Sequence, residues 1–389
     1  MIIKPAERIG LVEEYYFSTK LKQIAAMRAK GADIINLGIG SPDLPPHPEI
    51  IKTLHEWALK PDAHGYQNYQ GRPELRKAIA DFYKKYFKVE LNPDNEILPL
   101  IGSKEGIMHI SMAFLNAGEK VLIPDPGYPT YSSAVKLSGG IPVYYDLKPE
   151  LHWRLDLDSV NHIQVNEIKM MWINYPHMPT GQYADRIYLK ELLAWADERN
   201  ILLCNDNPYS FILNEDYVSL LAVDGAKDKV IELNSMSKAQ NMAGWRVGMA
   251  VSNPTFIDYM VRFKSNMDSG MFLPVQMAAV KALQLGEEWY QSLNAIYKER
   301  KKMAVQLMDA LDCTYQTDQQ GMFIWARIPS TYNDAFELSD KILNELHVFI
   351  TPGGIFGKNG NHYLRTSLCT PVEVFEKAFQ RIQTFKKSA

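Results

Sequence analysis

The sequence predicts an α/β protein with two domains, one of them built on a mostly parallel sheet. Short apolar runs alternate with longer amphipathic segments over residues 97–265, which is the pattern of strands and helices in turn. After residue 286 the pattern changes to a long polar helix followed by short strands. At 389 residues, the chain is also long for a single core. We therefore expect a large three-layer α/β/α domain and a smaller α+β domain.

The large domain is predicted to contain a seven-stranded sheet. The predicted strands are Ile97–Ile101, Lys120–Pro124, Pro142–Asp146, Met170–Asn174, Leu202–Asp206, Val230–Asn234 and Gly248–Ser252. The predicted helices between them are Lys104–Leu115, Tyr128–Leu137, Tyr188–Glu198 and Pro254–Ser265. In such sheets ligands bind at the carboxyl ends of the strands, where helix N-termini begin.

The last hundred residues are predicted to form most of the smaller domain. Its predicted elements are a helix at Glu287–Leu311, paired strands at Cys313–Gln316 and Met322–Ile328, a helix at Ala335–Glu345, strands at Val348–Thr351 and His362–Ser367, and a helix from Pro371. The N-terminal strand Ile34–Gly38 is expected to pack against one or both domains. We place an N-terminal arm and part of the small domain at residues 1–45, the large domain at 46–286 and the small domain at 287–389.

Composition narrows the possible classes of protein. A formal net charge of −3 gives no reason to expect nucleic acid or an anionic membrane as a partner. No apolar run approaches the roughly 20 residues that a membrane-spanning helix needs. Three widely spaced cysteines are typical of reduced thiols in a cytoplasmic protein. The nine histidines form no metal-binding motif, so no metal site is expected.

The most informative motif is Ser235-Met-Ser237-Lys238, which follows a predicted strand and precedes Arg246. A lysine amine can form a Schiff base with an aldehyde, whereas arginine and serine hydroxyls can hold a phosphate. This combination predicts pyridoxal phosphate, an aldehyde that carries its own phosphate. The alternative is a chance tetrapeptide around a solvated lysine.

A second strand end supplies further candidates for the same phosphate. Gly102, Ser103 and Lys104 lie between a predicted strand and a helix. Free backbone N–H groups and the Ser103 hydroxyl would face an anion at the helix N-terminus. An ordinary serine N-cap explains the same residues, and the two interpretations are compatible.

Two more strand ends carry groups suited to the cofactor ring. Asp206 ends an apolar run, and its carboxylate could keep the pyridine nitrogen protonated. Tyr209 could donate to the phenolic oxygen of the ring, and Tyr128 could stack on the ring face. The alternatives are an Asp-Asn-Pro turn with an aromatic lid and a surface tyrosine in a turn.

Arg365 lies within a predicted apolar strand. A buried charge is costly unless it is paired, so Arg365 is expected to meet a carboxylate. That carboxylate belongs either to a structural salt bridge or to a substrate bound at the domain interface. The other motifs favour the substrate.

In their order along the chain, these segments resemble the class I and II aminotransferases, pyridoxal-phosphate enzymes of fold type I. The matching segments include Asn36–Gly40, Tyr66–Arg76, Asn174-Tyr-Pro-His-Met-Pro-Thr-Gly181, Asp206-x-x-Tyr209, Ser235-x-Ser-Lys238, Arg246-x-Gly248 and the Arg365 strand. Tyr15-Tyr-Phe17 and Asp268–Pro274 are most similar to the alanine-type and diaminopimelate-type branches.

The resemblance implies a role for each matching position. Lys238 would bind the cofactor aldehyde and then carry the proton of the 1,3-shift. Arg365 would bind the substrate α-carboxylate, with Gly40 and Tyr15 on the substrate side. Tyr66 would reach the phosphate of the neighbouring subunit's cofactor, which implies a homodimer.

One position departs from the family pattern. Members carry asparagine where this chain has Met178, and that asparagine donates a hydrogen bond to the cofactor's phenolic oxygen. A thioether cannot donate, and the lost hydrogen bond is worth at most about 1.5–3 kcal/mol. We expect a raised pKa of the Schiff base, weaker catalysis, or another partner for that oxygen. Tyr209 and Asn174 are the alternatives for that partner.

The sequence gives less information about the substrate than about the type of reaction. Asp268–Pro274 contains no second cation for a dicarboxylate. A neutral donor such as alanine or methionine, with 2-oxoglutarate or pyruvate as acceptor, is therefore our first expectation, and diaminopimelate is the second. Two rival functions remain: a pyridoxal-phosphate C–S lyase on the same fold, and a regulatory protein with weakened catalysis.

Overall fold

The computed structural model describes residues 3–160 and 167–388, with side chains described as far as residue 384. Its strands are β1 Ile35–Asn36, β2 Ile97–Leu100, β3 Lys120–Asp125, β4 Ile141–Asp146, β5 Ile168–Ile173, β6 Leu202–Asp206, β7 Val230–Ser235, β8 Gly248–Val251, β9 Thr314–Tyr315, β10 Phe323–Arg327, β11 Val348–Phe349, β12 Thr351–Pro352 and β13 Tyr363–Ser367. Its α-helices are α1 Tyr16–Ala29, α2 Pro48–Ala58, α3 Pro73–Phe82, α4 Ser103–Phe114, α5 Pro129–Leu137, α6 Arg186–Asp197, α7 Pro254–Ser265, α8 Leu273–Leu283, α9 Glu287–Ala310, α10 Ala335–Leu346 and α11 Val372–Ser388.

The seven predicted strands of the large domain form one sheet, in the order β2-β8-β7-β6-β5-β3-β4. Only β8 runs antiparallel to its neighbours, so the sheet is mostly parallel as predicted. Successive side chains point to opposite faces of a strand. Accordingly, Met170 and Trp172 pack with α4, α5 and α7, whereas Met171 and Ile173 pack with α3, α6 and α8. Because helices cover both faces, β5 and its neighbours are continuous apolar runs. The three-layer α/β/α architecture is confirmed.

The C-terminal part is built on an antiparallel sheet in the order β12-β13-β10-β9. Arg365 lies in the middle of β13, opposite Trp325 on one side and Thr351 on the other. The single strand predicted at Val348–Thr351 is instead two short strands in different sheets, because the chain leaves one sheet at Phe349 and joins the next at Thr351.

The N-terminal segment packs against this C-terminal part. Strand β1 pairs in parallel with β11, and Ile24 of α1 packs against Leu343 and Phe349. The boundaries at residues 45 and 286 stay a prediction.

Two further findings concern the cysteines and the possibility of a membrane-spanning helix. The three cysteines are buried, and none of them forms a disulfide in the described part of the chain. Within the described ranges, no helix has both the length and the apolar character required to cross a bilayer.

A buried ion pair ties the N-terminal segment to α9. The Arg300 guanidinium donates from Nη1 and Nη2 to the two carboxylate oxygens of Asp43, at 2.7 and 2.8 Å. Nη1 also donates to the Leu368 carbonyl at 3.0 Å. Arg300 is almost fully buried, whereas Asp43 is partly exposed. Removing the carboxylate would leave a buried cation without its anion.

We predict that Asp43→Ala lowers the free energy of unfolding by about 2–3 kcal/mol, because the bidentate charge-assisted bonds to Arg300 are lost. Urea unfolding measures the change. Asp81→Ala is the matched control, because it removes the exposed pair with Lys77 and is expected to have no measurable effect. Equal stabilities of the two variants would contradict the assigned importance of the buried pair.

Candidate active site

A cavity of about 580 Å³ opens where the carboxyl ends of the central parallel strands face the C-terminal sheet. Of the sixteen residues predicted for the site, fourteen line it. They are Tyr15, Gly40, Ser103, Lys104, Tyr128, Asn174, Met178, Asp206, Tyr209, Ser235, Ser237, Lys238, Arg246 and Arg365. The other two are Gly102, at the cap of α4, and Tyr66, whose side chain is 96% exposed.

Lys238 lies in the loop directly after β7, on the floor of this cavity. Its Nζ donates to the Gly40 carbonyl at 2.7 Å and lies 5.8 Å from the centre of the Tyr209 ring. Burial lowers the pKa of Lys238, with the nearby guanidinium groups acting in the same direction. A lowered pKa increases the fraction of neutral amine, which is the nucleophilic form.

Asp206 ends β6 and points into the same cavity. The Tyr131 hydroxyl donates to Oδ2 at 3.0 Å, whereas Oδ1 is buried without a partner among the described residues. Burial raises the pKa of Asp206 to about 7. An unpartnered buried acceptor is costly unless a ligand donates to it. Asp206 therefore fits a ligand ring that presents a positively charged N–H.

Two glycines allow the donors of the anion site to converge. A Cβ on Gly102 would lie 2.2 Å from Arg246 Nη2, and one on Gly248 would lie 2.6 Å from the Ser103 nitrogen. Gly102 also has a φ of 84°, a conformation that favours glycine. Arg246 donates from Nη1 to the Ala243 carbonyl at 2.8 Å and lines the cavity. The start of α4 and this guanidinium together suit a phosphate.

Ser235 and Ser237 complete this side of the cavity. Both are buried and line it, beside Arg246. The Ser237 backbone N–H donates to Ser235 Oγ at 3.2 Å, which fixes the turn between β7 and Lys238. The hydroxyl donors, the arginine and the helix N-terminus therefore face one space.

Arg365 is buried without an ion-pair partner among the described residues. Its Nη2 donates to the Gly38 carbonyl at 2.8 Å and its Nη1 to Met178 Sδ at 3.2 Å. The guanidinium carbon lies 4.0 Å from the Phe323 ring centre and 4.6 Å from that of Phe356. Burial lowers the pKa of Arg365 to about 10. A structural salt bridge, one of the two expectations, is not what holds this side chain.

Asn174 and Met178 belong to one turn after β5. The Met178 backbone N–H donates to Asn174 Oδ1 at 2.7 Å, and Asn174 Nδ2 donates to the Asp206 carbonyl. The Asn174 amide thus links two adjacent strand ends. It holds Met178 beside Arg365.

A clasp of hydrogen bonds joins β3 to the loop that covers Arg365. The Asp125 carboxylate accepts from the backbone N–H groups of Lys358 and Asn359, at 3.2 and 3.0 Å. The Phe356 carbonyl accepts from the Gly127 N–H at 2.7 Å. These bonds run between the two parts of the molecule, and they hold the Phe356 ring against the guanidinium.

Sequence reasoning assigned Tyr15, Tyr128 and Tyr209 to the site but gave no role to four further aromatic residues that line it. Phe17, Tyr131, Phe323 and Phe356 all line the cavity. Only Tyr131 carried a usable signal, because it lies three residues after Tyr128 at the start of a helix and therefore shares its face. The phenylalanines reach the site by long-range packing, for which a single sequence gives no pattern.

Glu105 and His109 on α4 form a cluster with Asp268. The side-chain atoms of these three residues that could bind a metal ion lie within 4.8 Å of one another. The Lys264 ammonium lies among them, donating to Glu105 Oε1 at 3.2 Å and to Asp268 Oδ2. Lys264 is fully buried there. The positive charge of Lys264 therefore balances negative charge in this cluster.

Comparison with known proteins identifies the family. The aminotransferase class I and II family model matches residues 32–382. The LL-diaminopimelate aminotransferase of Dehalococcoides mccartyi is 39% identical over 389 residues and covers all of both chains, and that of Aquifex aeolicus is 38% identical over 383 residues, 98% of this chain and 99% of its own.

Comparison with solved structures gives the same result as comparison of sequences. Substrate-bound BacF from Bacillus subtilis superposes with a TM-score of 0.94 at 35% identity, covering 99% of this chain and 98% of its own. A probable N-succinyldiaminopimelate aminotransferase from Thermus thermophilus gives a TM-score of 0.88 at 30% identity, covering 95% and 99%. The chain therefore belongs to the class I and II aminotransferases, and it is a pyridoxal-phosphate-dependent transaminase of fold type I.

Proposed function

We propose that this aminotransferase takes LL-diaminopimelate as its amino donor and a 2-oxo acid as acceptor. Four cations line the cavity without an anionic partner among the described residues, namely Lys104, Lys238, Arg246 and Arg365. The observation that carries the proposal is that Arg365 and Lys104 remain once Lys238 and Arg246 are assigned to the cofactor. Diaminopimelate has a carboxylate at each end, so the two cations match its two anions. The relatives named LL-diaminopimelate aminotransferase, which match along the whole chain, support the same substrate.

Lys104 rather than Lys264 is the second cation in this proposal. Lys264 already forms ion pairs with Glu105 and Asp268. Lys104 lies at the cavity mouth with its Nζ 4.8 Å from the Tyr15 ring centre. Partial burial, followed by the charge of Arg246, lowers its pKa. A substrate carboxylate beside Lys104 would relieve both effects.

The site residues are assigned roles from their positions. The bound cofactor supplies an electron sink for the bond that breaks at the substrate α-carbon. Lys238 provides the amine that holds the cofactor and then moves the proton at that carbon. Asp206 Oδ1 would accept from the ring N–H, Tyr209 would donate to the phenolic oxygen, and Arg365 would orient the substrate by its α-carboxylate.

The phosphate has its own set of contacts in this proposal. Arg246 pairs with its charge, while Ser103, Ser235 and Ser237 donate from their hydroxyl groups. The N-terminal N–H groups of α4 add the helix dipole. Together these groups anchor the cofactor at the end opposite to the reacting bond.

A neutral donor is the second candidate, and the apolar lining favours it. Phe17, Leu21, Ile39, Phe323 and Phe356 surround the substrate side of the cavity. An aliphatic or thioether side chain such as that of methionine would bury its surface there. The C–S lyase and the regulatory protein receive no such support, since the family and the relatives are aminotransferases.

We further propose a homodimer in which Tyr66 acts in the neighbouring site. Tyr66 is almost completely exposed and lies outside the cavity of its own chain. Phe272 and Met267 are also exposed, although both are large and apolar. A second copy covering these side chains would bury them and bring Tyr66 to the partner's phosphate.

The decisive experiment is a half-reaction screen. Mixing the holoenzyme with single amino acids is expected to convert the cofactor absorbance to the pyridoxamine form fastest with LL-diaminopimelate. Adding 2-oxoglutarate should then restore the original spectrum. Faster conversion by methionine or alanine would establish the neutral alternative, and release of pyruvate from a cysteine conjugate without an acceptor would establish the lyase.

We predict that Lys104→Met lowers kcat/KM for LL-diaminopimelate by about 5–30-fold, because about 1–2 kcal/mol of charge-assisted binding to the distal carboxylate is lost. The value for methionine should stay the same or rise. Lys52→Met, on the exposed face of α2, is the matched control. A parallel loss for both substrates would show instead that Lys104 serves the cofactor phosphate.

Asp206 should also make the stability of the cofactor-free protein depend on pH. Its folded-state pKa of about 7 lies above the ordinary value of 3.8, because burial disfavours the carboxylate. Its contribution to stability is therefore complete below about pH 4 and is lost as the pH rises toward 7 and above. In urea unfolding of cofactor-free protein, Asp206→Asn is expected to remove this decline, so that wild type loses stability relative to the variant between pH 4.5 and 7.5. A stability difference independent of pH would refute the assignment.

A further inference from the structure

A second cavity, of about 910 Å³, lies on the opposite side of the β6 strand end from the active site. Its walls are the segment 205–218, the start of α6, the exposed face of α9 and the turn between β9 and β10. It shares no lining residue with the active-site cavity. Both the parallel sheet and the C-terminal part therefore contribute to it.

Asn205 places an unpartnered acceptor at this cavity. It precedes Asp206 on β6, and because side chains alternate along a strand, the two point to opposite sides. Asn205 is 97% buried, and its Nδ2 donates to Glu232 Oε2 at 2.8 Å. Only the NH₂ group can donate to a carboxylate, so the amide orientation is fixed. Oδ1, which remains, has no partner among the described residues.

The charges around the cavity are mainly negative. Its lining includes five carboxylates, from Asp185, Glu215, Asp216, Glu287 and Asp318, against two lysines. Lys301 donates to the carbonyls of Thr317 and Gln319, and Lys298 lies 3.7 Å from Glu215. Asp185 pairs with Arg154 at 2.9 Å and Asp216 with Arg186 at 3.8 Å. Glu287 and Asp318 are therefore the lining carboxylates without an ion-pair partner among the described residues, and these two favour a cation.

We propose that this rear cavity binds a small organic cation bearing a primary ammonium group, of the alkyl diamine or dibasic amino acid class. One ammonium donates to Asn205 Oδ1, which needs a donor and cannot serve as one. The carboxylates at the rim attract the remaining positive charge. A water molecule could also donate to Oδ1, but it would make no use of the acidic rim. The proposal is independent of the substrate assigned above.

Calorimetric titration of the holoenzyme with 1,5-diaminopentane tests the proposal. We expect one site per chain with a dissociation constant below 1 mM, weakened by added salt, and no comparable binding of the neutral 1,5-pentanediol. The cofactor absorbance is followed in the same samples, because it reports any diamine that reacts at Lys238 instead. Heat accompanied by a change in that absorbance would count against the rear cavity.

Variants locate the site. Asn205→Ala and, separately, the double variant Glu287→Gln/Asp318→Asn are each expected to weaken diamine binding at least tenfold. The double variant changes only exposed side chains, so it remains informative if Asn205→Ala fails to fold. Glu299→Gln, on α9 but outside the cavity, should bind as wild type does. Absence of binding, equal binding of the diol, or wild-type binding by both Asn205→Ala and the double variant would overturn the proposal and leave Asn205 with water only.

Discussion

The active site depends on a buried guanidinium that no carboxylate neutralises within the described chain. Arg365 is held by a carbonyl, a thioether and two aromatic faces. These contacts fix its position and supply partial negative charge, but none of them balances a full positive charge. Under the proposed function, the free energy that this arrangement costs would be recovered when a substrate carboxylate binds. In that proposal, the uncompensated charge of Arg365 would be a source of substrate affinity.

The clasp at Asp125 makes this arrangement a property of both parts of the molecule. Phe356 reaches the guanidinium only because its loop is bonded to the end of β3. Gly357 allows the approach, since a Cβ there would lie 2.1 Å from Asp125 Oδ1 and its φ is 138°. The end of β3 and the loop that carries Phe356 are therefore held together by the same backbone contacts.

The sequence predicted those features that depend on local pattern. Seven apolar runs identified the strands of the large sheet, because strands covered on both faces need no alternation. Lys238, Asp206 and Arg246 were found because loops after parallel strands converge at one edge. The splitting of Val348–Thr351 between two sheets was missed, since strand pairing is a long-range property. The aromatic cover of Arg365 was missed for the same reason.

Met178 shows how one substitution acts on two sides of the site. The thioether gives no hydrogen bond to a phenolic oxygen, but its sulfur accepts from Arg365 Nη1. Sulfur is a weak acceptor, so a carboxylate that approached Arg365 would displace this contact at little cost. Of the two alternative partners expected for the phenolic oxygen, Asn174 uses its amide to join the ends of β5 and β6. We therefore infer that Tyr209 is the donor that remains, and that the ring oxygen has fewer donors here than in family members with asparagine.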